Sequence, residues 1–311
     1  MSEWTIDAPR TLTIEQPVER LKVRTMAGAV NVVAVDGPTR LEVTELEGPP
    51  LLVTLEGGEL TVTYEDLVWK DFTWKNLPAA IHQWRTKRRA VVSLAVAPGT
   101  RIELGSASSE TVISGITAPV TVHSASGAVT LVRLAGPVEA HTVSGNVQAQ
   151  SVSGDLKVNT VSGELTVFEG ASGRLKANSV SGSMTLDLAH GDATDVTLSN
   201  VSGEVAVRLP APTDAQVRAN TTSGDVSSAF EELRVGGTWG AKQVTGTLGK
   251  GTGTLKITTV SGSVALLRRP AAEEDAPADA PRALTFGKSG TDGKSGTDRE
   301  DADHKDSEDQ A

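Results

Sequence analysis

Cysteine is absent from the 311 residues, which excludes a disulfide framework, thiolate metal sites and a cysteine nucleophile. Aromatic residues are scarce: five Trp, four Phe and one Tyr make up 3% of the chain. The core must therefore draw on Val, Leu, Ile and Ala within the 38% hydrophobic residues. No apolar run reaches the roughly eighteen residues of a bilayer-spanning helix. The opening stretch Met1–Asp7 has neither the basic nor the apolar region of a secretory signal, so the expected location is cytoplasmic. Basic residues are outnumbered 29 to 39, a net charge of −10. That balance argues against a nucleic-acid partner.

The charge is uneven. Residues Pro270–Ala311 hold twelve acidic and five basic residues in a background of Ala, Pro, Gly, Ser and Asp. Such a segment buries too little apolar surface to offset its chain entropy, and 270–311 reads as a disordered acidic tail. It contains a tandem hexapeptide, Gly287–Asp292 and Gly293–Asp298, whose Gly-Lys-Ser-Gly-Thr resembles part of a phosphate loop. That loop needs a glycine five residues before the Gly-Lys pair, and those positions hold Arg282 and Lys288. The phosphate-loop reading fails.

What the chain has in abundance is a short repeat. Val-Ser-Gly or a close variant ends at Gly115, Gly127, Gly145, Gly154, Gly163, Gly173, Gly182, Gly203, Gly224, Gly246 and Gly262. The fuller pattern, polar-Thr-Val-Ser-Gly-polar-Val-x-Val, selects the structural repeat glycines Gly127, Gly145, Gly163, Gly182, Gly203, Gly224, Gly246 and Gly262. One unit is therefore about 20 residues, within the range of solenoid repeats. Around each glycine the apolar residues alternate, as in Leu165 and Val167 against Glu164 and Thr166, the period of a half-buried strand. Glycine at the corner is expected to supply the positive φ of a tight bend. So short a strand pair closes no core alone, and successive units must stack. The predicted fold is all-β: a single-stranded β-helix, or β-solenoid, of about 20-residue coils over residues 1–269.

The fourth residue before each glycine supports stacking. His123, His141, Asn159, Asn178, Ser199, Asn220, Lys242 and Thr258 occupy that place. Most of them donate and accept hydrogen bonds, as a ladder along a stack requires. Lys22–Val32 repeats the pattern around Gly28, and Leu41–Thr44, Leu51–Leu55 and Glu59–Tyr64 alternate as strands. Gly57-Gly58 marks a hairpin corner, and Val91–Ala97 returns the chain to the array.

Ala97-Pro98-Gly99-Thr100-Arg101-Ile102-Glu103-Leu104, followed by serial Val-Ser-Gly-Asp/Glu units, resembles the bacterial putative-adhesin family of β-strand-repeat proteins, a domain of unknown function. The resemblance is strongest from Ala97 to Leu266. It implies a right-handed solenoid, no catalytic residues, a noncatalytic role, and a link to the bacterial cell envelope and its stress responses.

Candidate chemistry is thin. Asp155, Glu164, Glu204 and Asp225 follow repeat glycines, and paired carboxylates in β-helices serve polysaccharide cleavage or Ca²⁺ binding. Asn146, Arg174 and Ser183 fill the same slot elsewhere, which favours a solvated corner. His123 and His141 are one coil apart, but Asn159 follows them and a metal site wants three or four ligands. His82 and His190 have no partner at motif spacing. No catalytic residue, metal or cofactor is predicted.

Residues 67–90 interrupt the strands. They hold Trp69, Phe72, Trp74 and Trp84 and end in Arg85-Thr86-Lys87-Arg88-Arg89. Leu77, Ile81 and Trp84 are spaced as one helix face, with Asn76 as a cap and Pro78 in the first turn. The segment reads as a helix-bearing insertion whose candidate interaction residues are Trp69, Trp74, Leu77, Ile81, Trp84, Arg85, Lys87, Arg88 and Arg89. It covers a solenoid end, contacts anionic membrane, or seats a protein partner; all three readings stand. The function read from the sequence is a noncatalytic scaffold or interaction protein. The alternatives are a carbohydrate-active β-helix enzyme and a self-assembling filament subunit.

Overall fold

A strand with one buried face needs an apolar residue at every second position, and the repeat supplies it. In the computed structural model, which describes residues 1–64, 88–189, 195–238 and 241–269, β13 (Leu156–Thr160) buries Leu156, Val158 and Thr160 and turns Lys157 and Asn159 outward. Past the Val-Ser-Gly corner, β14 (Leu165–Gly170) buries Leu165 and Val167. One winding thus gives one strand to each of two sheets, whose apolar sides meet in a single core. The fold is a β-solenoid.

Parallel stacking is regular through the middle of the chain. In the first sheet, β9 (Val120–Ser124), β11 (Val138–Thr142), β13, β15 (Arg174–Ser181) and β17 (Asp195–Ser202) lie side by side. In the second, the order is β10 (Val129–Val132), β12 (Val147–Gln150), β14, β16 (Met184–Leu188) and β18 (Val205–Leu209). Equivalent residues face one another: Val120 pairs with Val138, and Val138 with Leu156. β3 (Arg20–Ala34) and β8 (Arg101–Ser114) run through the corner unbroken and belong to both sheets.

Antiparallel strands close the amino-terminal end. β1 (Ser2–Ile6) pairs with β5 (Leu51–Glu56), β5 with β6 (Glu59–Tyr64), and β6 lies beside β3 in the first sheet. In the second, β2 (Arg10–Ile14) pairs with β4 (Thr39–Glu47) and β4 with β7 (Arg89–Val96), which lies beside β3. Gly57 and Gly58 have φ of 55° and 76°, as the two-residue turn between β5 and β6 requires.

At the other end the spatial order departs from the chain order. The winding made of β19 (Ala215–Thr221) and β20 (Val226–Ser228) is not next to β17 and β18. The last winding, β23 (Gly253–Thr259) and β24 (Val264–Arg268), lies between them, pairing in parallel on both sides. β22 (Ala241–Leu248) and β21 (Arg234–Thr238) then cover β19 as antiparallel strands. The expected succession Gly203, Gly224, Gly246, Gly262 is thereby corrected. Gly262 lies between Gly203 and Gly224, while Gly246 and Lys242 sit in antiparallel β22, outside the repeat columns.

Glycine is needed at the corner for a different reason from the one expected. A Cβ on Gly127, Gly145, Gly163 or Gly182 would lie 1.8, 2.0, 2.0 or 2.2 Å from a backbone carbonyl oxygen of the winding beneath. Among Gly127, Gly145, Gly163, Gly182, Gly203, Gly224 and Gly262, Gly203 alone has a positive φ, at 122°. Close backbone approach, rather than left-handed geometry, excludes a side chain.

The insertion expected over 67–90 lies outside the described residues except at its end. There Arg89 and Ala90 already belong to β7, so the strand begins earlier than Val91. No helix occurs among the described residues. The 270–311 tail also lies outside them.

Candidate functional site

Of the residues singled out for interaction, Trp69, Trp74, Leu77, Ile81, Trp84, Arg85 and Lys87 lie outside the described residues. Arg88 immediately precedes β7. Arg89 opens that strand with its Nε 3.5 Å from Glu45 of β4, both side chains exposed. A solvent-screened pair of this kind contributes at most about 1 kcal/mol. Arg89 is accordingly a sheet residue.

The acidic residues do not converge. Glu164, Glu204 and Asp225 project from the glycine corner in one column, with Ser183 and Ser263 interleaved. Adjacent windings are about 4.8 Å apart, so each carboxylate is two windings from the next. Asp155 belongs to the opposite corner, 3.5 Å from Arg174, and Asp225 is engaged by Lys242. Glu164, Glu204 and Asp225 form an evenly spaced, exposed column.

The outer face of the first sheet is charged. Lys22, Glu103, Glu139, Lys157, Lys176 and Lys256 project from it. Beside them runs the column of residues four before each glycine. His123 and His141 stack with ring centroids 5.0 Å apart and planes 8° from parallel. His141 Nε2 is 2.9 Å from Glu139, whose carboxylate also accepts a 2.6 Å hydrogen bond from Lys157. Asn178 donates to Asn159 at 2.8 Å, and Asn159 Nδ2 is 3.4 Å from His141 Nδ1.

Burial, then the charge of His141, holds the His123 pKa below its ordinary value; Arg24 adds to this, while Glu103 and Glu139 oppose it. Hydrogen bonds from Lys157 and His141 hold Glu139 below the usual carboxylate range. Among the described residues no group of three or more His, Cys, Asp or Glu residues could hold a metal ion. His82 and His190 lie outside those residues.

One column went unread in the sequence as a feature of its own. The residue three before each glycine faces inward, and Ser124, Thr142, Thr160, Ser179, Thr221 and Thr259 are all buried there. Their hydroxyls serve the corner: the Gly163 N–H donates to Thr160 Oγ1 at 3.0 Å, and Thr221 donates to the Gly262 carbonyl at 2.9 Å. The invariable hydroxyl or amide at that offset was the available signal.

The outer face of the second sheet contrasts with the first. Thr130, Gln148, Thr166, Thr185, Ala206 and Ala265 line up across successive strands, and none carries charge. Val132, Gln150 and exposed Phe168 form a parallel row. The glycine corner along its rim bears Val161, Val180, Val201 and Val260, each 43–49% exposed. Glu110, Glu164 and Glu204 border the same rim with no ion pair among the described residues. The row from Thr130 to Ala265 and the rim together make an uncharged strip with an acidic border, and on its other side the outward positions of β16 and β18 hold the ion pair of Asp187 with Arg208. No helix among the described residues is long and apolar enough to cross a membrane.

The family model described as Toastrack DUF4097 matches residues 8–267. No curated protein matches the chain. Among solved structures, a "putative adhesin" from Bacteroides fragilis is 10% identical, with a TM-score of 0.44, covering 84% of this chain and 98% of its own. A "putative lipid binding protein" from Parabacteroides distasonis is 14% identical, with a TM-score of 0.42, covering 85% and 97%. A "putative cell adhesion protein" from Clostridium sporogenes is 11% identical, with a TM-score of 0.27, covering 84% and 100%.

Proposed function

This chain belongs to the Toastrack DUF4097 family, and from that premise we propose that it is a noncatalytic interaction scaffold that seats a protein partner on the outer face of its second sheet. The observation that carries the reading is the uncharged row from Thr130 to Ala265, set against the first-sheet row in which Lys22, Glu103, Glu139, Lys157, Lys176 and Lys256 recur. A solvated sheet face normally carries charges, and a protein interface is depleted of them at its centre. The acidic border at Glu164 and Glu204 suits a partner with a basic edge, since complementary potentials steer docking and reject wrong partners. The same border opposes an anionic lipid surface at this face. The setting proposed is the bacterial cell envelope, as the family resemblance implies.

The experiment is photo-cross-linking in native cells. A benzophenone amino acid is placed at Thr166 in the uncharged row or at Lys157 in the charged row. Cross-linking of a discrete protein from position 166 and not from 157 supports the reading. The Thr130→Lys/Thr166→Lys/Thr185→Lys variant should then lose that product while keeping its melting temperature. Equal labelling from both faces, or none from position 166, overturns it.

A further inference from the structure

The inserted last winding gives the solenoid a slot whose natural occupant need not come from the same chain. Three windings meet there, built on Gly203, Gly262 and Gly224, and all three place their residues at the same offsets. Val196, Leu255 and Val217 align, as do Val205, Val264 and Val226. The glycine column is equally indifferent. A Cβ on Gly262 would lie 2.0 Å from the Gly203 carbonyl oxygen, and one on Gly224 would lie 2.2 Å from that of Gly262. Either glycine could rest on Gly203. Chain order alone would bring β19 and β20 onto β17 and β18, yet residues 253–268 occupy that place.

Side-chain size explains why the later winding holds the inner position. It buries Leu255, Ile257, Val264 and Leu266, all at 2% exposure or less. The winding it displaces outward offers Val217, Ala219 and Val226, which fill less of an interior that must be close-packed. During folding, however, β19 and β20 are synthesised first and fit the same edge. The winding 253–268 therefore reaches a place that its neighbour in the chain contests, and it is available meanwhile to another molecule.

We propose that residues 253–268 exchange between two copies of this chain, each inserting its last winding into the slot between β17–β18 and β19–β20 of the other. Every backbone hydrogen bond and core contact of the inserted winding forms equally within one chain or between two. The difference is confined to the connection from β22 to β23, which must pass the start of β19. Gly249 and Gly251 take φ of 54° and 67° there, Lys250 N–H donates to Asp214 Oδ1 at 2.8 Å, and Gly253 N–H donates to the Asp214 carbonyl at 2.9 Å. A short hinge held in left-handed geometry that favours glycine promotes exchange once it is straightened. Extended, its four residues reach about 14 Å.

The chain's lack of cysteine makes the test direct. Ser199 and Thr258 are register partners on β17 and β23 and both face outward. Strands so paired lie about 4.8 Å apart, within the reach of a disulfide. Full-length Ser199→Cys and Thr258→Cys chains, one carrying a size tag, are unfolded together, refolded at high concentration and oxidised. Exchange yields a disulfide-linked heterodimer at least tenfold above the Thr121→Cys plus Thr258→Cys mixture, which measures random oxidation. A yield equal to that control overturns the proposal. Independently, Gly249→Val/Gly251→Val penalises the tight connection and should raise the dimer fraction severalfold in light scattering. A variant that folds and stays monomeric at every concentration also overturns it.

Discussion

Gly262 rests against Gly203: a Cβ on the later residue would come within 2.0 Å of the earlier one's carbonyl oxygen. The same relation recurs at Gly163 over Gly145 and Gly182 over Gly163. Contact between backbones, one winding on the next, is thus the element that the repeat conserves within this chain.

From this follows a contrast between two glycines. Gly163→Ala places a methyl group 2.0 Å from the Gly145 carbonyl oxygen, so the windings must part locally. We expect a loss of about 2 kcal/mol and a fall of about 4–8 °C in thermal melting. Gly173→Ala meets nothing within 4 Å and has no positive φ, and its melting temperature should be unchanged.

The buried hydroxyl column predicts a rescue. Thr160 accepts hydrogen bonds from the Gly163 N–H and from Thr142 Oγ1, each at 3.0 Å. Thr160→Val keeps the shape and strands the buried Gly163 N–H, while the Thr142 hydroxyl keeps the Gly145 carbonyl as its acceptor; the expected cost is about 2 kcal/mol. Thr160→Ser retains the acceptor and should recover most of that loss. Urea denaturation of the three proteins checks it.

Stability should also track the His stack. The His123 pKa lies below its ordinary 6.5 in the folded state, chiefly through burial and then through His141. The unfolded chain therefore binds the proton first. This contribution is fully present above about pH 6.5 and is lost as pH falls through that value toward the folded pKa. Glu103, Glu139, Arg24 and His141 share this site with His123 and set the net field. His123→Asn, the residue type found two windings on at Asn159, should flatten the dependence of melting temperature on pH between 7 and 5. A profile identical to wild type would show that His123 carries none of it.

The inserted winding should matter more than the one it displaces. Ile257 is fully buried between β17 and β19, and Ile257→Ala should cost about 3 kcal/mol. Val217, next to the antiparallel cover, loses only two methyl groups in Val217→Ala, and about half that cost is expected. Equal losses in chemical denaturation would contradict the order of packing described.

Much of this fold was legible because period-two alternation and a spaced glycine are direct physical signatures. Leu156, Val158, Leu165 and Val167 are buried where their alternation places them. The insertion of 253–268 was illegible for an equally physical reason. Windings with identical offsets are interchangeable neighbours, so periodicity says how they stack and nothing about in what order. Gly246 was misread because Val244-Thr245-Gly246 mimics the corner, although its strand runs antiparallel to β19. The uncharged row from Thr130 to Ala265 joins residues of strands far apart in sequence and exists only in the folded sheet. In sequence, Lys157 and Thr166 simply follow one another on alternate half-units. Of the proposed partner-reading residues, only Arg88 and Arg89 fall among those described.

Antiparallel closures at β1–β5–β6 and at β22–β21 sit outside the regular windings and depend on none in particular. A segment such as 138–155 could then be excised or doubled with both stops left in place, lengthening or shortening the molecule by one 4.8 Å step, to roughly the strand spacing. Evolution could count turns here as a draughtsman counts divisions on a rule, adjusting reach without redesigning either end.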